Sequence, residues 1–256
     1  MLKILIKIYI AFIYILFYLP VVLLIIYSFN ESQYSEGIFD KKTISWYIKL
    51  LDNNALLSSA QNTILVAIIS ASLSVLIAII FALGLNKYQF SGKNFVLSII
   101  YVLIVSPDIT LGISLLALFK ILHINLGFTT VLLSHIIFSI AFILVILLSE
   151  IENLNKSMLR SAQDLGANEW QIFRLIILPN LKPTIIFSWF FAFTISLDDV
   201  IVSFFVSGPG IELLQLNLFS MMRLGINPEA SALSSIMFVI TLISVCISYC
   251  NFRKKL

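Results

Sequence analysis

Charge is scarce in this sequence: 11% of its 256 residues are Asp, Glu, Lys or Arg, whereas 60% are hydrophobic. The mean hydropathy is +1.06. A soluble domain of this composition would have to expose large apolar patches to water. The shortage of charge therefore excludes an ordinary soluble protein and indicates a polytopic all-α membrane protein.

Cysteine and histidine are equally scarce, with two residues of each. Cys246 and Cys250 lie one helical turn apart in an apolar run, where core packing is the ordinary role of a cysteine. His123 and His135 are too few and too far apart to form a cluster of metal ligands. We therefore expect no disulfide framework and no metal site, and we expect both histidines to be structural.

The sequence also lacks the motif G-x-x-x-x-G-K-[ST], with which many ATPases hold phosphate groups. Gly92-Lys93 resembles the end of that motif, but the upstream Gly and the following Ser or Thr are missing. No pairing of a nucleophile with a base is evident either. The chain is therefore expected to be no enzyme and to bind no cofactor itself.

Long apolar stretches remain. Four runs of at least 23 residues contain no charged side chain, and two further apolar stretches are interrupted only by acids. A hydrocarbon core about 30 Å thick needs about 20 helical residues, so each stretch is long enough to cross it. Six membrane-spanning helices are predicted, at about 8–29, 61–86, 94–119, 128–149, 183–206 and 231–251, with a loop at 150–182.

Lys and Arg are distributed unequally between the two sides of this bundle. With the N-terminus in the cytoplasm, eleven of the sixteen fall on the inner side and five on the outer side. This arrangement satisfies the positive-inside rule. We therefore expect a multi-pass chain with both termini in the cytoplasm and the loop 150–182 on the same side.

The loop 150–182 has the apolar spacing of a helix, or of two short helices in line. Gly166 is expected to break the helix, and Asn168 with Gln171 resembles a capping box that opens a second one. Pro179 is expected to end it, because proline lacks the N–H that a helix needs. The spacing alone leaves two alternatives open: a helix lying on the membrane surface, or a helix that docks on a soluble partner.

The same loop resembles the EAA loop of binding-protein-dependent ABC importer permeases. That motif reads Glu-Ala-Ala, three residues, Gly, nine residues, then Ile-x-Leu-Pro. Here Gly166 is followed by nine residues and then by Ile176–Pro179, while Ala162 fills the second Ala position. The stretch Asp164–Ala167 matches the common D-L-G-A version of the motif.

The resemblance implies that this loop forms coupling helices that dock on a separate ATPase subunit. Two positions depart from the motif, since Arg160 stands in place of Glu and Ser161 in place of Ala. The acidic contact with the ATPase is therefore absent or replaced, for example by Glu169. The resemblance assigns this contact to Arg160, Ala162, Asp164, Gly166, Glu169, Leu178 and Pro179.

Other stretches resemble the spermidine/putrescine permeases of this family, notably "SPDI" from Ser106 and "SLDDVIVSFFVSGPG" from Ser196. The resemblance implies the type I ABC importer permease fold in a bacterial inner membrane, with transport by alternating access. The implied partners are a sister permease subunit, two ATP-binding subunits carrying ATP and Mg, and an external polyamine-binding protein. No contact with nucleic acid is implied.

Three carboxylates in apolar stretches need an explanation, because an ionised Asp facing lipid costs a few kcal/mol at least. Along straight helices, Asp108 and Asp198 would each lie about 21–22 Å from the cytoplasmic end. Carboxylates at one depth suit a multiply charged amine, so Asp108, Ser196, Asp198 and Asp199 are the candidates for lining the solute pathway. Successive residues differ by about 100° around a helix, so we expect one of Asp198 and Asp199 to face the pathway and the other a neighbouring helix or the outer surface. The alternative for each acid is an internal ion pair or a helix cap.

Trp46 is a further candidate for the pathway, because an indole ring attracts an ammonium group. Its alternative is the ordinary one of an anchor at the membrane interface. Two other functions also stay open on the sequence alone. The same machinery could carry iron, thiamine or a sugar, or the acids could form the relay of an ion-coupled secondary carrier.

Overall fold

The computed structural model describes residues 2–31, 42–223, 225 and 228–253. Within these residues the chain forms twelve α-helices and a π-helical turn at Phe173–Ile177, and no strand. The predicted all-α fold is confirmed. The helices are α1 Leu2–Tyr27, α2 Ser45–Asp52, α3 Asn54–Lys87, α4 Lys93–Val105, α5 Asp108–Ile121, α6 Phe128–Glu152, α7 Lys156–Asp164, α8 Glu169–Ile172, α9 Leu178–Asp198, α10 Ile201–Val206, α11 Leu214–Arg223 and α12 Pro228–Arg253.

Five helical segments in the described part of the chain are long and apolar enough to cross a membrane. They are α1, α3, α6, the continuous helix Glu169–Asp198, and α12. A sixth span arises if α4 and α5 are counted together, but these two helices meet at an angle of 115°. The span predicted at 94–119 is therefore not one straight helix. Proline lacks an N–H and disfavours a helical residue before it, so Ser106 and Pro107 are extended.

The prediction that Pro179 ends the helix of the loop is also wrong. The helix that starts at Glu169 continues to Asp198, so Pro179 lies in the first turn of α9 and does not end the helix. Proline is tolerated there because the π-helical turn before it has already changed the hydrogen-bond register of the backbone. The helix ends instead at Asp199, whose backbone is extended, and α10 follows.

Helix α3 lies at the centre of the bundle and packs against α6 and α9. Its contact face is made of small residues, and Ala71, Ala78 and Ala82 are completely buried there. Large side chains of α6, such as Leu144 and Leu147, fill the space that these alanines leave. Small residues let helices approach closely, which is the main source of helix association in a bilayer.

Helices α5 and α10 lie side by side and run in the same direction. Gly112 of α5 lies against α10, where an added Cβ would be 2.7 Å from Phe205 Cδ2. After both helices have ended, a Cβ at Gly208 would be 2.6 Å from the Cβ of Leu126. Gly208 has φ +64°, a conformation that favours glycine. The two starting points, Asp108 of α5 and Asp199 before α10, therefore lie at the same end of the pair.

Candidate solute pathway and coupling segment

The break between α9 and α10 separates two adjacent carboxylates. Asp198 is the last residue of α9 and is exposed, whereas Asp199 is extended and largely buried. Asp199 Oδ1 accepts a hydrogen bond from the N–H of Val202 at 3.2 Å, and its Oδ2 accepts from the N–H and the hydroxyl of Ser203 at 2.7 and 2.8 Å. Asp199 therefore caps the start of α10.

The buried partner of Asp199 is His135 of α6, whose Nε2 lies 3.4 Å from the Asp199 carboxylate. The His135 ring is fully buried, with Nδ1 2.6 Å from the Ser196 hydroxyl and Nε2 3.0 Å from the Ser203 hydroxyl. Ser70 of α3 extends the network, since its hydroxyl donates to Ser196 at 3.3 Å. The network joins α3, α6, α9 and α10 at the level of the break.

This network changes two predictions made from the sequence. Ser196 is buried and hydrogen-bonded to His135, and Asp199 has an internal partner, the alternative left open for each acid. His135 is structural, as expected, but its link to Asp199 was missed. A lone His in an apolar run was the signal that could have predicted this link, because polar groups at membrane depth pair with one another.

Asp198 faces a cavity of about 320 Å³ between α9, α11 and α12. The described part of the chain provides no hydrogen-bond or ion-pair partner for its carboxylate. Gln215, Ser234 and Thr241 are the other polar residues of the wall. The remaining wall is apolar and is formed by Leu197, Val200, Leu218, Phe219, Met222, Met237 and Phe238.

Asp108 is exposed at the start of α5 and does not line the cavity of Asp198. The predicted depth of about 21 Å stays a prediction, because α4 is unbroken up to Val105 and the turn of 115° redirects the chain that follows, α5. The contact between α5 and α10 nevertheless places Asp108 at the same end as Asp199. The structure thus shows carboxylates at neighbouring helix starts, but no closed ring of them.

Trp46 lies in α2 and is half-buried. Its indole N–H donates to the carbonyl of Asn30 at 2.8 Å, and Lys49 Nζ lies 4.4 Å from the centre of its ring. The predicted attraction of an ammonium to this ring is therefore present, but the ammonium belongs to the chain itself. Trp46 does not line the cavity beside Asp198.

We refer to residues 156–177 as the coupling segment. Its first helix, α7, ends at Asp164, and Gly166 follows with φ +81°. The predicted capping box is confirmed, since the Asn168 and Gln171 side chains each accept from the backbone N–H of the other at 2.9 and 2.8 Å. Leu165 is 89% and Trp170 65% exposed. Large apolar side chains therefore protrude from this segment, as on a docking surface.

The acidic residue of the coupling segment makes its contact within the chain. Glu169 Oε1 forms an ion pair with Nζ of Lys87, the last residue of α3, at 2.5 Å. Glu169 therefore already has a partner within the chain, and a contact with the ATPase in place of the missing Glu of the motif would compete with this ion pair. Of the other residues assigned to coupling, Arg160, Asp164, Gly166 and Pro179 are exposed, and Ala162 and Leu178 are half-buried.

Both cysteines are exposed on α12, so the expectation that they pack in the core is wrong. The apolar run around them satisfied the pattern of a core, but this part of α12 presents its apolar side outwards. Across the described residues, no three His, Cys, Asp or Glu side chains are grouped so that they could hold a metal ion.

Comparison with known proteins gives consistent results. Residues 74–254 match the family described as "Binding-protein-dependent transport system inner membrane component". The chain is 42% identical over 243 residues to the spermidine/putrescine transport system permease protein PotC of Escherichia coli (strain K12), covering 95% of this chain and 92% of that protein. PotC of Haemophilus influenzae is 38% identical, with 95% and 94% covered. The putrescine transport system permease protein PotI of Escherichia coli (strain K12) is 35% identical, with 86% and 80% covered.

Solved structures share the fold at low sequence identity. A bacterial ABC transporter involved in the import of the acidic polysaccharide alginate has a TM-score of 0.75 at 17% identity, with 99% of this chain and 95% of that chain covered. An amino acid ABC transporter with histidines has a TM-score of 0.64 at 18% identity, with 83% and 99% covered. The family match, the close relatives and the shared fold agree, and the chain therefore belongs to the binding-protein-dependent transport system inner membrane components, the permeases of ABC importers.

Proposed function

We propose that this chain is a membrane-spanning permease subunit of an ATP-driven importer of polyamines such as spermidine and putrescine. The observation that supports this most strongly is the 42% identity to a spermidine/putrescine permease over 95% of the chain. The carboxylate of Asp198 adds chemical support, because it faces a cavity and has no partner among the described residues. An unpaired carboxylate in such a place suits a cationic solute.

The two adjacent acids have different roles in this proposal. Asp199 caps α10 and pairs with His135, so it fixes the break that turns the chain between α9 and α10. Asp198 is left to contact an ammonium group of the solute. Asp108, at the same end of the α5–α10 pair as Asp199, provides a second carboxylate outside that cavity.

The chain does not supply the energy for transport itself. We infer that ATP and Mg are bound by two separate ATP-binding subunits, and that the coupling segment docks on one of them through residues such as Leu165 and Trp170. A sister permease completes the pathway, and an external polyamine-binding protein delivers the solute. In this arrangement the chain lies in the inner membrane with both termini in the cytoplasm, and the bundle alternates between outward and inward access.

The test is uptake of labelled spermidine by proteoliposomes that contain the complete importer and the binding protein. We expect uptake to require ATP and to be blocked by vanadate. Asp198→Asn should reduce uptake about tenfold or more, since a hydrogen bond to a charged group contributes about 1.5–3 kcal/mol. Asp108→Asn should also reduce it. Because Asp198 supports no other side chain, Asp198→Asn should leave the melting temperature unchanged.

Asp52→Asn is a matched control, because Asp52 is an exposed acid at the end of α2 outside the cavity. Uptake by this variant should equal that of the wild type. Full uptake by both Asp108→Asn and Asp198→Asn would contradict the assigned pathway. Uptake that persists in vanadate, or in the absence of ATP-binding subunits, would indicate a secondary carrier instead.

A further inference from the structure

The cavity beside Asp198 contains a buried amide with an unused donor. Gln215 of α11 is 3% exposed, and its Oε1 accepts a hydrogen bond from the Thr63 hydroxyl at 3.0 Å. The Thr63 oxygen in turn accepts from the N–H of Leu214 at 2.8 Å, so its one hydrogen is directed to Gln215. This chain of bonds orients the amide and leaves its Nε2 without a partner among the described residues.

A buried donor without a partner is uncommon in proteins, because leaving it unpaired destabilises the fold. Gln215 belongs to the wall of the cavity that Asp198 also lines. The polar groups of this wall are therefore one carboxylate, which attracts a cation, and three uncharged side chains, those of Gln215, Ser234 and Thr241.

The apolar wall of the cavity suits an alkyl chain, and it includes the aromatic rings of Phe219 and Phe238. Phe219 already holds a cation on its ring, since the Arg223 guanidinium carbon lies 4.5 Å from the ring centre. Methylene groups bury well against such walls, and an aromatic face tolerates a positive charge beside it. Spaces of a few hundred Å³ with apolar walls and few polar groups are typical of small-ligand sites.

We propose that this cavity holds one end of the polyamine, a single ammonium group on Asp198 with the adjoining methylenes against Phe219 and Phe238. The cavity accepts one positive charge, because Asp198 is the one carboxylate in its wall and the other polar side chains there are uncharged. The remaining ammonium groups of the solute are held outside this cavity. The inference rests on the proposed function, and it adds the specificity-determining residues of α11 and α12.

The first test compares the rates at which a thiol placed in the cavity reacts with a cationic and an anionic reagent. In the complete importer, Cys246 and Cys250 are replaced by Ala, and Ser234→Cys introduces a thiol into the cavity wall. We expect the cationic aminoethyl methanethiosulfonate to react about tenfold faster than the anionic sulfonatoethyl reagent, and spermidine to slow this reaction. Adding Asp198→Asn should abolish the preference. Ser58→Cys, at an exposed position of α3, is the control and should show neither preference nor protection.

The second test counts the charges that the cavity accepts. Protection of the Ser234→Cys thiol is titrated with butylamine, which has one ammonium group, and with putrescine, which has two. In the wild-type cavity we expect both amines to protect at concentrations within about twofold of each other. Gln215→Glu keeps an acceptor for Thr63 and adds a second carboxylate, so putrescine should then protect at about tenfold lower concentration than butylamine. Gln61→Glu, at an exposed position of α3, should change neither value.

The outcomes separate this inference from the proposed function. If putrescine protects the wild-type cavity tenfold better than butylamine, the limit of one charge is refuted, and no variant is needed to show it. If spermidine gives no protection although the importer transports it normally, the cavity is not part of the pathway. If the complete importer transports no polyamine at all, the proposed function itself fails.

Discussion

Replacing His135 tests whether the buried network holds the break between α9 and α10. His135→Leu removes the hydrogen bonds to the Ser196 and Ser203 hydroxyls and the contact with Asp199. Each lost hydrogen bond contributes about 1 kcal/mol. Loss of the partner of a buried charge costs about 3–5 kcal/mol when nothing replaces it.

Asp199 would keep three donors in that variant, the N–H groups of Val202 and Ser203 and the Ser203 hydroxyl. The total loss should therefore lie at the lower end, about 3 kcal/mol. For a chain of this size, 1 kcal/mol corresponds to about 2–4 °C, so we expect the melting temperature to fall by about 6–12 °C. His135→Gln places an amide near the former Nε2 and should lose only about 1 kcal/mol.

Two measurements check this prediction. Thermal unfolding in detergent, at one fixed scan rate, compares the melting temperatures of the wild type and both variants. Hydrogen exchange at the amides of Val202 and Ser203 reports the break locally, and both amides should exchange faster in His135→Leu. The reasoning is refuted if His135→Leu melts within 2 °C or so of the wild type, or if His135→Gln is as unstable as His135→Leu.

Two glycines give further predictions. Gly166→Val meets no atom within 4 Å but puts a β-branched residue at φ +81°, so it should distort the turn of the coupling segment and let ATP hydrolysis continue without uptake. ATPase activity and uptake measured in the same proteoliposomes check this, and normal uptake would contradict it. Gly208→Ala places a Cβ 2.6 Å from the Leu126 Cβ at φ +64°, so it should destabilise the protein by about 2–4 kcal/mol in thermal unfolding. Gly84→Ala, in a helix with open space around it, is the control for both variants and should be neutral or stabilising.

The sequence was most informative where structure is decided locally or by the solvent. Lipid offers no hydrogen bonds to the backbone, so a long apolar run that crosses a membrane has to be helical. The apolar runs that became α3, α6 and α12 are helical in the structure. The capping box at Asn168 and the break at Gly166 were also predictable, because both depend on residues within a few positions.

The failures concern structure that depends on distant parts of the chain. Pro107 predicts a break in the helix. It does not predict the angle of 115° between α4 and α5, because α5 packs on α10, which is distant in the sequence. Pro179 lies within a helix because a π-helical turn precedes it, and no residue type in the sequence predicts that turn. The partner of Asp199 lies on another helix, so spacing along the chain could not identify His135.

The continuous helix from Glu169 to Asp198 connects the coupling segment to the cavity. Its 30 residues span about 45 Å at 1.5 Å per residue, with the ion pair to Lys87 at one end and the cavity carboxylate at the other. An exposed ion pair contributes at most about 1 kcal/mol, so this pair orients the segment and does not lock it. Helix α9 packs against α3 and α12. A displacement at the coupling segment would be transmitted along the helix Glu169–Asp198 to Asp198, and a movement of Asp198 relative to α12 would change the cavity as alternating access requires.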